Sequence, residues 1–376
     1  MARKLLSEAA DSKLARQQEE GVEAPRILRR RKAEELRGPG HFLAPGYVDL
    51  HTHGAVGVDF VTASAEEFGR AMDHYLAHGV TSILVSLYPA SPRASLRVLE
   101  RVAGYVRDGV GRGVARGIHL EGPFLSRKRP GALPLRYFRR YDRRVLDDML
   151  KAGGGFVRTM TVAPEEPGGM HLVRALLRRG VAPAFGHSDA DYAATRRALG
   201  AGVRYATHLF NAMRGVHHRA PGAVTALLED PDVAVEVIAD GYHIDLPVLR
   251  LVNRVKPARS VILVSDSVHS CGLRPGRYRF AGSTVVLEDG RVTLEDGTLA
   301  GSALTLDRGV ALEANELGMA PARAVEYASG NPARLAGFAD RGAIAPQKRA
   351  DIVLLDKELR VRATWLEGRL AWVARS

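Results

Sequence analysis

After Pro45-Gly46 the sequence settles into a regular rhythm of short apolar, β-type runs separated by helical stretches, and this rhythm constrains the fold more than any other feature. The runs are Tyr47 to His53, Ser82 to Tyr88, Val114 to Glu121, Val157 to Val162, Val181 to His187, Val203 to His208, Val233 to Ala239 and Val261 to Asp266. Strands alternating with helices predict an α/β protein with a parallel sheet, and eight strands is the number that closes a (β/α)8 barrel of TIM type. The helices carry recognisable ends. Ser64 and Glu67 form a capping box for a helix from Ser64 to His78, which Gly79 can close. A helix from Ser188 to Leu199 is expected to have Ser188 as its cap, Asp191 in its first turn and Gly200 after it.

On this reading residues 45–277 form the barrel. Residues 278–345 begin with a β-hairpin or small meander, marked by the turns Glu288 to Gly290 and Glu295 to Gly297, and continue with helices near Leu304 to Leu317 and Ala322 to Ser329 that pack on the barrel. Residues 346–376 contain three more short strands, Asp351 to Leu355, Val361 to Leu366 and Leu370 to Val373, which a closed barrel cannot accommodate. They imply a small second β domain, built mainly from the hairpin after residue 278 and the strands after 350. Residues 1–44 are a polar and basic segment, with helical texture over Ser7 to Glu20 and Pro25 to Arg37 and no alternation of a buried strand over residues 1–40. That segment either stands apart, its first twenty residues helical at the surface or poorly ordered, or contributes to the small domain.

Chemistry in such barrels sits at the carboxyl ends of the strands, and that is where the polar residues gather. His51 and His53 end the first strand, Glu121 the third, His187 the fifth, His208 the sixth and Asp266 the eighth, while His243 follows the seventh. His51 and His53 are two apart and so can share one face of a strand. Imidazoles and carboxylates converging on a barrel mouth suit zinc or another first-row divalent metal. Such an ion keeps a position open for water and lowers the pKa of that water toward ~7. Asp266 is placed to take the water's proton and later hand it to a leaving group.

Composition excludes other classes. One cysteine, Cys271, rules out an intrachain disulfide and a cysteine-based metal site. No run approaches the ~18 uncharged apolar residues of a membrane span, and Met1 to Glu20 lacks the apolar core of a secretory signal, so a cytoplasmic protein without a membrane partner is expected. The net charge of +12 comes from basic residues spread along the chain. The densest cluster, Arg26 to Lys32, has no zinc-finger, RNA-recognition or basic-zipper pattern beside it, so no nucleic-acid partner is expected.

The strand-end motifs resemble those of the amidohydrolase superfamily, and more closely the N-acetylglucosamine-6-phosphate deacetylases. They are Pro-Gly-Tyr-Val-Asp-Leu-His-Thr-His-Gly (45–54), His-Leu-Glu-Gly-Pro-Phe-Leu (119–125), Gly-His-Ser-Asp-Ala (186–190), Ala-Thr-His-Leu-Phe-Asn-Ala-Met (206–213), Ile-Ala-Asp-Gly-Tyr-His (238–243), Leu-Val-Ser-Asp (263–266) and Gly-Thr-Leu-Ala-Gly-Ser (297–302). The resemblance implies that Glu121, His187 and His208 hold one metal ion, and that His51, His53 and Asp266 hold a second that only some members carry. Zinc is the first choice, with iron, manganese and cobalt as alternatives. It further implies that Glu121 bridges the two ions, that His243 polarises the acetamide carbonyl, and that Asn211, the backbone of Ala212 and Arg219 grip a sugar phosphate. The chain departs from the family pattern at Ala220, at Leu133 and at Val268-His269-Ser270-Cys271.

The implied activity is metal-dependent hydrolysis of the linear amide of N-acetylglucosamine 6-phosphate, by a homodimer whose other partner is that small amino-sugar phosphate. The alternatives are another N-acyl amino sugar such as N-acetylgalactosamine 6-phosphate, a cyclic amide, or an inactive scaffold that keeps the barrel.

Overall fold

In the computed structural model, which describes residues 40–374, the apolar runs pair in the order in which they occur. They are β1 (Tyr47–Thr52), β2 (Val80–Leu87), β3 (Ala115–Glu121), β4 (Val157–Val162), β5 (Ala182–Phe185), β6 (Tyr205–Ala206), β7 (Ala234–Val237) and β8 (Val261–Leu263), each parallel to the next. The ring closes just beyond β8, where Thr52 bridges Ser267 in parallel. There the Asp266 amide donates to the His51 carbonyl at 2.8 Å, and the His53 amide to the Ser267 carbonyl at 2.8 Å. This is the (β/α)8 barrel that the alternation implies. The N-terminal helices expected over residues 7–20 and 25–37 lie outside the described residues.

The helices around the barrel follow the apolar spacing of their sequences. In α1 (Ala65–Ala77) the buried residues are Phe68, Ala71, Met72, Tyr75 and Leu76, one face at helical period. Its capping box is made: the Ser64 amide donates to Glu67 Oε2 at 2.8 Å and the Glu67 amide to Ser64 Oγ at 3.2 Å. Gly79 ends the turn at φ +77°, a left-handed conformation that glycine adopts without strain. The helix after β5 differs from its expectation. It runs over Tyr192–Gly200 and is capped by Asp191, whose Oδ1 accepts from the Ala194 amide at 2.7 Å. Ser188 is drawn away from capping because its hydroxyl donates to Glu165 Oε2 at 2.7 Å.

The strands bury alternate residues on two sides. Val235 and Val237 face the large cluster between barrel and helices, whereas Ile238 joins Val48, Leu50, Leu84, Ile262 and Val264 in a smaller cluster, which we take as the barrel interior.

Two larger antiparallel sheets complete the fold, with a short antiparallel pair of Gly54–Ala55 and Val58–Asp59 directly after β1. A meander of Gly276–Phe280, Ser283–Glu288 and Arg291–Leu294 brings Phe280 and Val285 against Tyr88 and Val268 near the carboxyl ends of the barrel strands. A separate four-stranded sheet orders Phe42–Pro45, Ile352–Leu355, Val361–Leu366 and Arg369–Val373 side by side. The hairpin and the C-terminal strands therefore hydrogen-bond in different sheets, and the first strand of the small sheet comes from just before the barrel. The run Phe-Leu-Ala-Pro is too short and too close to Pro45-Gly46 to announce itself as a strand. Its partner, Ile352–Leu355, lies more than 300 residues further along the chain.

Closure depends on a buried polar join. Asp49 accepts from the Ser265 hydroxyl at 2.5 Å and from the amides of Ser265 and His51 at 3.2 Å each. The same hydroxyl oxygen accepts from the Ser267 amide at 3.1 Å. Ser265→Ala removes both hydroxyl bonds and leaves buried partners unmatched, so we expect a loss of roughly 1–3 kcal/mol in folding free energy. Urea unfolding of wild type and variant measures it, and a difference below about 0.5 kcal/mol, the scatter of ordinary surface substitutions, would refute the role of this join.

Candidate metal centre and active site

Six candidate ligands converge at the carboxyl ends of the strands. His51 and His53 sit at the end of β1 and Glu121 is the last residue of β3. His187, His208 and Asp266 lie just beyond β5, β6 and β8 with φ of +46°, +24° and +47°. A non-glycine residue in that region costs about 1–3 kcal/mol and persists only where its surroundings hold it. Here neighbouring amides are pinned: Ser188 N donates to the Ala212 carbonyl at 3.1 Å, Leu209 N to the Glu236 carbonyl at 2.8 Å, and Asp266 N to the His51 carbonyl at 2.8 Å. These turns let the side chains leave the strands and meet.

The meeting is close. Glu121 Oε1 lies 3.1 Å from His187 Nε2, 3.0 Å from His208 Nε2 and 3.6 Å from His51 Nε2. Its other oxygen lies 3.3 Å from His53 Nε2. Asp266 Oδ1 is 3.5 Å from His51 Nε2 and 3.4 Å from His53 Nε2, and these two imidazole nitrogens are 3.2 Å apart. Two sets of donor atoms each fall within 4.8 Å of one another, His51, His53 and Asp266 in one and His51, Glu121 and His208 in the other. All six residues are buried.

The partners behind the rings decide what such contacts mean. His187 Nδ1 lies 2.9 Å from the Arg129 carbonyl, which can only accept, so the proton sits on Nδ1. His51 Nδ1 lies 3.0 Å from Glu236 Oε2 and must donate likewise. In the neutral rings both Nε2 atoms then present lone pairs to carboxylate oxygens. Lone pairs face one another at such distances only around a cation or an added proton. Among the described residues no lysine or arginine pairs with Glu121, Asp266 or Glu236, whose ion-pair partners are histidines alone. The donor set therefore fits a divalent metal, with imidazole nitrogen and carboxylate oxygen as ligands.

The electrostatics agree. Burial opposes ionisation of Glu121, but hydrogen bonds from His187 and His208 and the charge of His51 hold its carboxyl well below the usual range. Burial likewise acts against charge on His51, yet the Asp266, Glu236 and Glu121 carboxylates push it up to about 10. The pocket calls for positive charge where the rings converge.

Above the cluster opens a cavity of about 400 Å³, within the ~300–1,000 Å³ usual for small-ligand sites. Its lining includes His53, Glu121, His187, His208 and Asp266, and also His243, Asn211 and Ala212. His243 Nδ1 is 2.7 Å from Asp240 Oδ2, which leaves Nε2 for a ligand. Gly131 lies at φ +54°, where an added Cβ would be strained and would crowd His187 Cε1 at 3.3 Å. Leu133, Val268, Phe280 and Leu299 make the remaining wall largely apolar. A larger hollow of about 1070 Å³ between Phe42–Pro45 and residues 321–348 contains no histidine and a single carboxylate, Glu326, and lacks this convergence.

Of the residues singled out by sequence, His51 lies beneath the cavity lining, in contact with the Glu121 and Asp266 carboxylates that line it, whereas Arg219 lies outside the lining altogether. It stands exposed on the loop after Ala212, next to the equally exposed Ala220. His269 also lies outside the lining, buried and stacked on Phe280 with ring centroids 5.4 Å apart. Sequence reading missed Glu236, Asp240 and Asp49, which hold His51, His243 and the barrel join. Glu236 and Asp49 left a signal, since each is a lone carboxylate inside an apolar strand, a place where charge is costly unless it has partners.

Residues 42–371 match the amidohydrolase family. The chain is 37% identical over 358 residues to the N-acetylglucosamine-6-phosphate deacetylase of Bos taurus, covering 91% of this chain and 87% of that one. It is 34% identical over 330 residues to the N-acetylgalactosamine-6-phosphate deacetylase of Escherichia coli O157:H7, covering 88% and 87%. Among solved structures it is similar to a mutant N-acetyl-D-glucosamine-6-phosphate deacetylase from Mycobacterium smegmatis in complex with N-acetyl-D-glucosamine-6-phosphate, at a TM-score of 0.84 and 36% identity over 88% of this chain and 87% of that one. The Thermotoga maritima N-acetylglucosamine-6-phosphate deacetylase gives 0.84 and 32%, covering 89% and 90%. The chain thus belongs to the amidohydrolase family and, within it, to the branch that contains the N-acetylglucosamine-6-phosphate deacetylases.

Proposed function

We propose that this protein hydrolyses the N-acetyl group of N-acetylglucosamine 6-phosphate, giving glucosamine 6-phosphate and acetate. The observation that carries the proposal is the packing of four imidazoles and two carboxylates, with their lone pairs directed at one another, at the floor of a cavity that His243 and Asn211 also line. The 34% identity to an N-acetylgalactosamine-6-phosphate deacetylase favours the other epimer as a second reading. Acetate release from the two sugar phosphates, each against its unphosphorylated form, separates the readings. Failure to release acetate from any of them would reject both.

Glu121, His187 and His208 would hold one divalent ion and His51, His53 and Asp266 a second, with zinc the first choice. A divalent ion there would acidify a water and polarise a carbonyl. Asp266 would accept the proton of the attacking water and return it to the amide nitrogen, because an amine leaves a tetrahedral intermediate poorly unless it is protonated. His243, held by Asp240, would direct Nε2 at the acetyl oxygen. Arg219 would meet the phosphate, supported by its place on the segment that carries Asn211 and Ala212 to the cavity and by the match between a guanidinium fork and a phosphate.

Three outcomes follow. Elemental analysis of the purified protein should find at least one divalent ion, a chelator should abolish activity, and metal retained by the double variant His187→Ala, His208→Ala would contradict the ligand assignment. Asp266→Asn preserves size but cannot accept a proton, so kcat should fall at least ~100-fold with the ion at Glu121, His187 and His208 still bound; near-normal kcat would pass the proton role to His243. Arg219→Ala should weaken phosphorylated substrates by roughly ten- to a hundredfold, from the ~1.5–3 kcal/mol of a charge-assisted contact, while unphosphorylated analogues are unaffected. Equal losses for both would refute the phosphate role.

A further inference from the structure

Glu236 is fully buried within the otherwise apolar stretch Val233 to Ala239. It shares the strand parity of Ile238, whose side chain joins the smaller cluster with Val48, Leu50 and Val264, so its carboxylate also faces the barrel interior. An unpartnered carboxylate there would be strongly destabilising. This one has three partners from two segments, the end of β1 and the β6 segment. Oε2 accepts from His51 Nδ1 at 3.0 Å and from the His208 backbone amide at 2.9 Å, and Oε1 accepts from the Tyr205 hydroxyl.

The two Oε2 contacts act on different halves of the candidate metal centre. Donation from His51 Nδ1 settles which nitrogen of that ring carries the proton, and leaves Nε2 as a lone pair 3.6 Å from Glu121 Oε1 and 3.5 Å from Asp266 Oδ1. The bond from the His208 amide pins a residue whose φ of +24° is unfavourable, and so fixes the turn that aims the ring at Glu121. Tyr205, itself buried, stops the carboxylate from rotating away. His51 belongs to both sets of donor atoms and His208 to one, so a single oxygen holds in place a ring common to both sets and the backbone of another.

We infer that Glu236 is a positioning residue for the metal centre, setting its affinity by fixing the tautomer of His51 and the backbone of His208 together and by placing a negative charge behind the His51 ring, which makes its Nε2 a stronger donor. This rests on the metal reading given above. It touches neither substrate nor the reacting atoms, so its effect is on ion binding rather than on the acid–base step. Two substitutions separate its charge from its acceptor. Glu236→Gln keeps the shape, since an amide oxygen can still accept both Oε2 bonds and the Tyr205 hydroxyl can turn to accept from the amide nitrogen. Glu236→Ala removes the acceptor altogether.

The readout is the dissociation constant for Zn²⁺, measured on metal-stripped full-length protein by competition with a chromophoric chelator, with thermal melting to confirm folding. The expected order of affinity is wild type, then Glu236→Gln, then Glu236→Ala, and the last should bind roughly ten- to a hundredfold more weakly, the range for loss of a partner behind a ligating histidine. If the alanine variant does not fold, the glutamine variant carries the test, and its affinity must still fall. A folded Glu236→Gln or Glu236→Ala that binds Zn²⁺ as tightly as wild type overturns this inference and leaves the metal reading standing. A wild-type protein that takes up no Zn²⁺ overturns the metal reading, and this inference with it.

Discussion

A parallel barrel has to join its first strand to its last, and in this protein the join and the candidate metal centre are the same piece of backbone. The amides of Asp266 and His53 make the closing hydrogen bonds to the carbonyls of His51 and Ser267. Three candidate ligands are therefore held by the bonds that complete the ring, and neither the ring nor the centre can shift without the other. The buried cluster of Asp49, Ser265 and Ser267 beneath them strengthens that dependence.

Glu121 imposes the second constraint. A carboxylate within 3.0 to 3.6 Å of three imidazole nitrogens through one oxygen is tolerable in a buried site only if positive charge lies between them. The carboxylates of Glu236 and Asp240 then set ring orientations from behind, by accepting hydrogen bonds from the Nδ1–H groups of His51 and His243. Glu236 thus orients a ring that Glu121 and Asp266 meet, while Asp240 orients one that lines the cavity beside them.

Around that core the fold divides its labour. The barrel supplies rigid strand ends, while the meander after β8 and the 126–134 loop supply the walls, through Phe280, Leu133 and Gly131. The wall is largely apolar and the floor polar, as suits a ligand bound by few directed contacts. Three basic residues in segments next to the lining, Lys128, Arg129 and Arg214, all reach Asp189. Arg219 stands apart from that cluster on its exposed loop.

Much of this was legible in the sequence because it is local. The eight-strand alternation, the capping box at Ser64 and the ligand types at the strand ends are set by side-chain pattern over a few residues, and a period of two or 3.6 survives without knowledge of the rest of the chain. Tertiary structure decided whatever depends on partners distant in sequence. Phe42–Pro45 is a strand only because Ile352–Leu355 lies beside it, and Ser188 gives up its cap only because Glu165 is near. Glu236 reads as an anomaly in an apolar strand until Tyr205, His51 and His208 surround it. Local sequence determines which residues can be ligands and which segments are strands. Their distances, tautomers and charge balance arise only when the ring closes, because each depends on groups contributed by several strands at once.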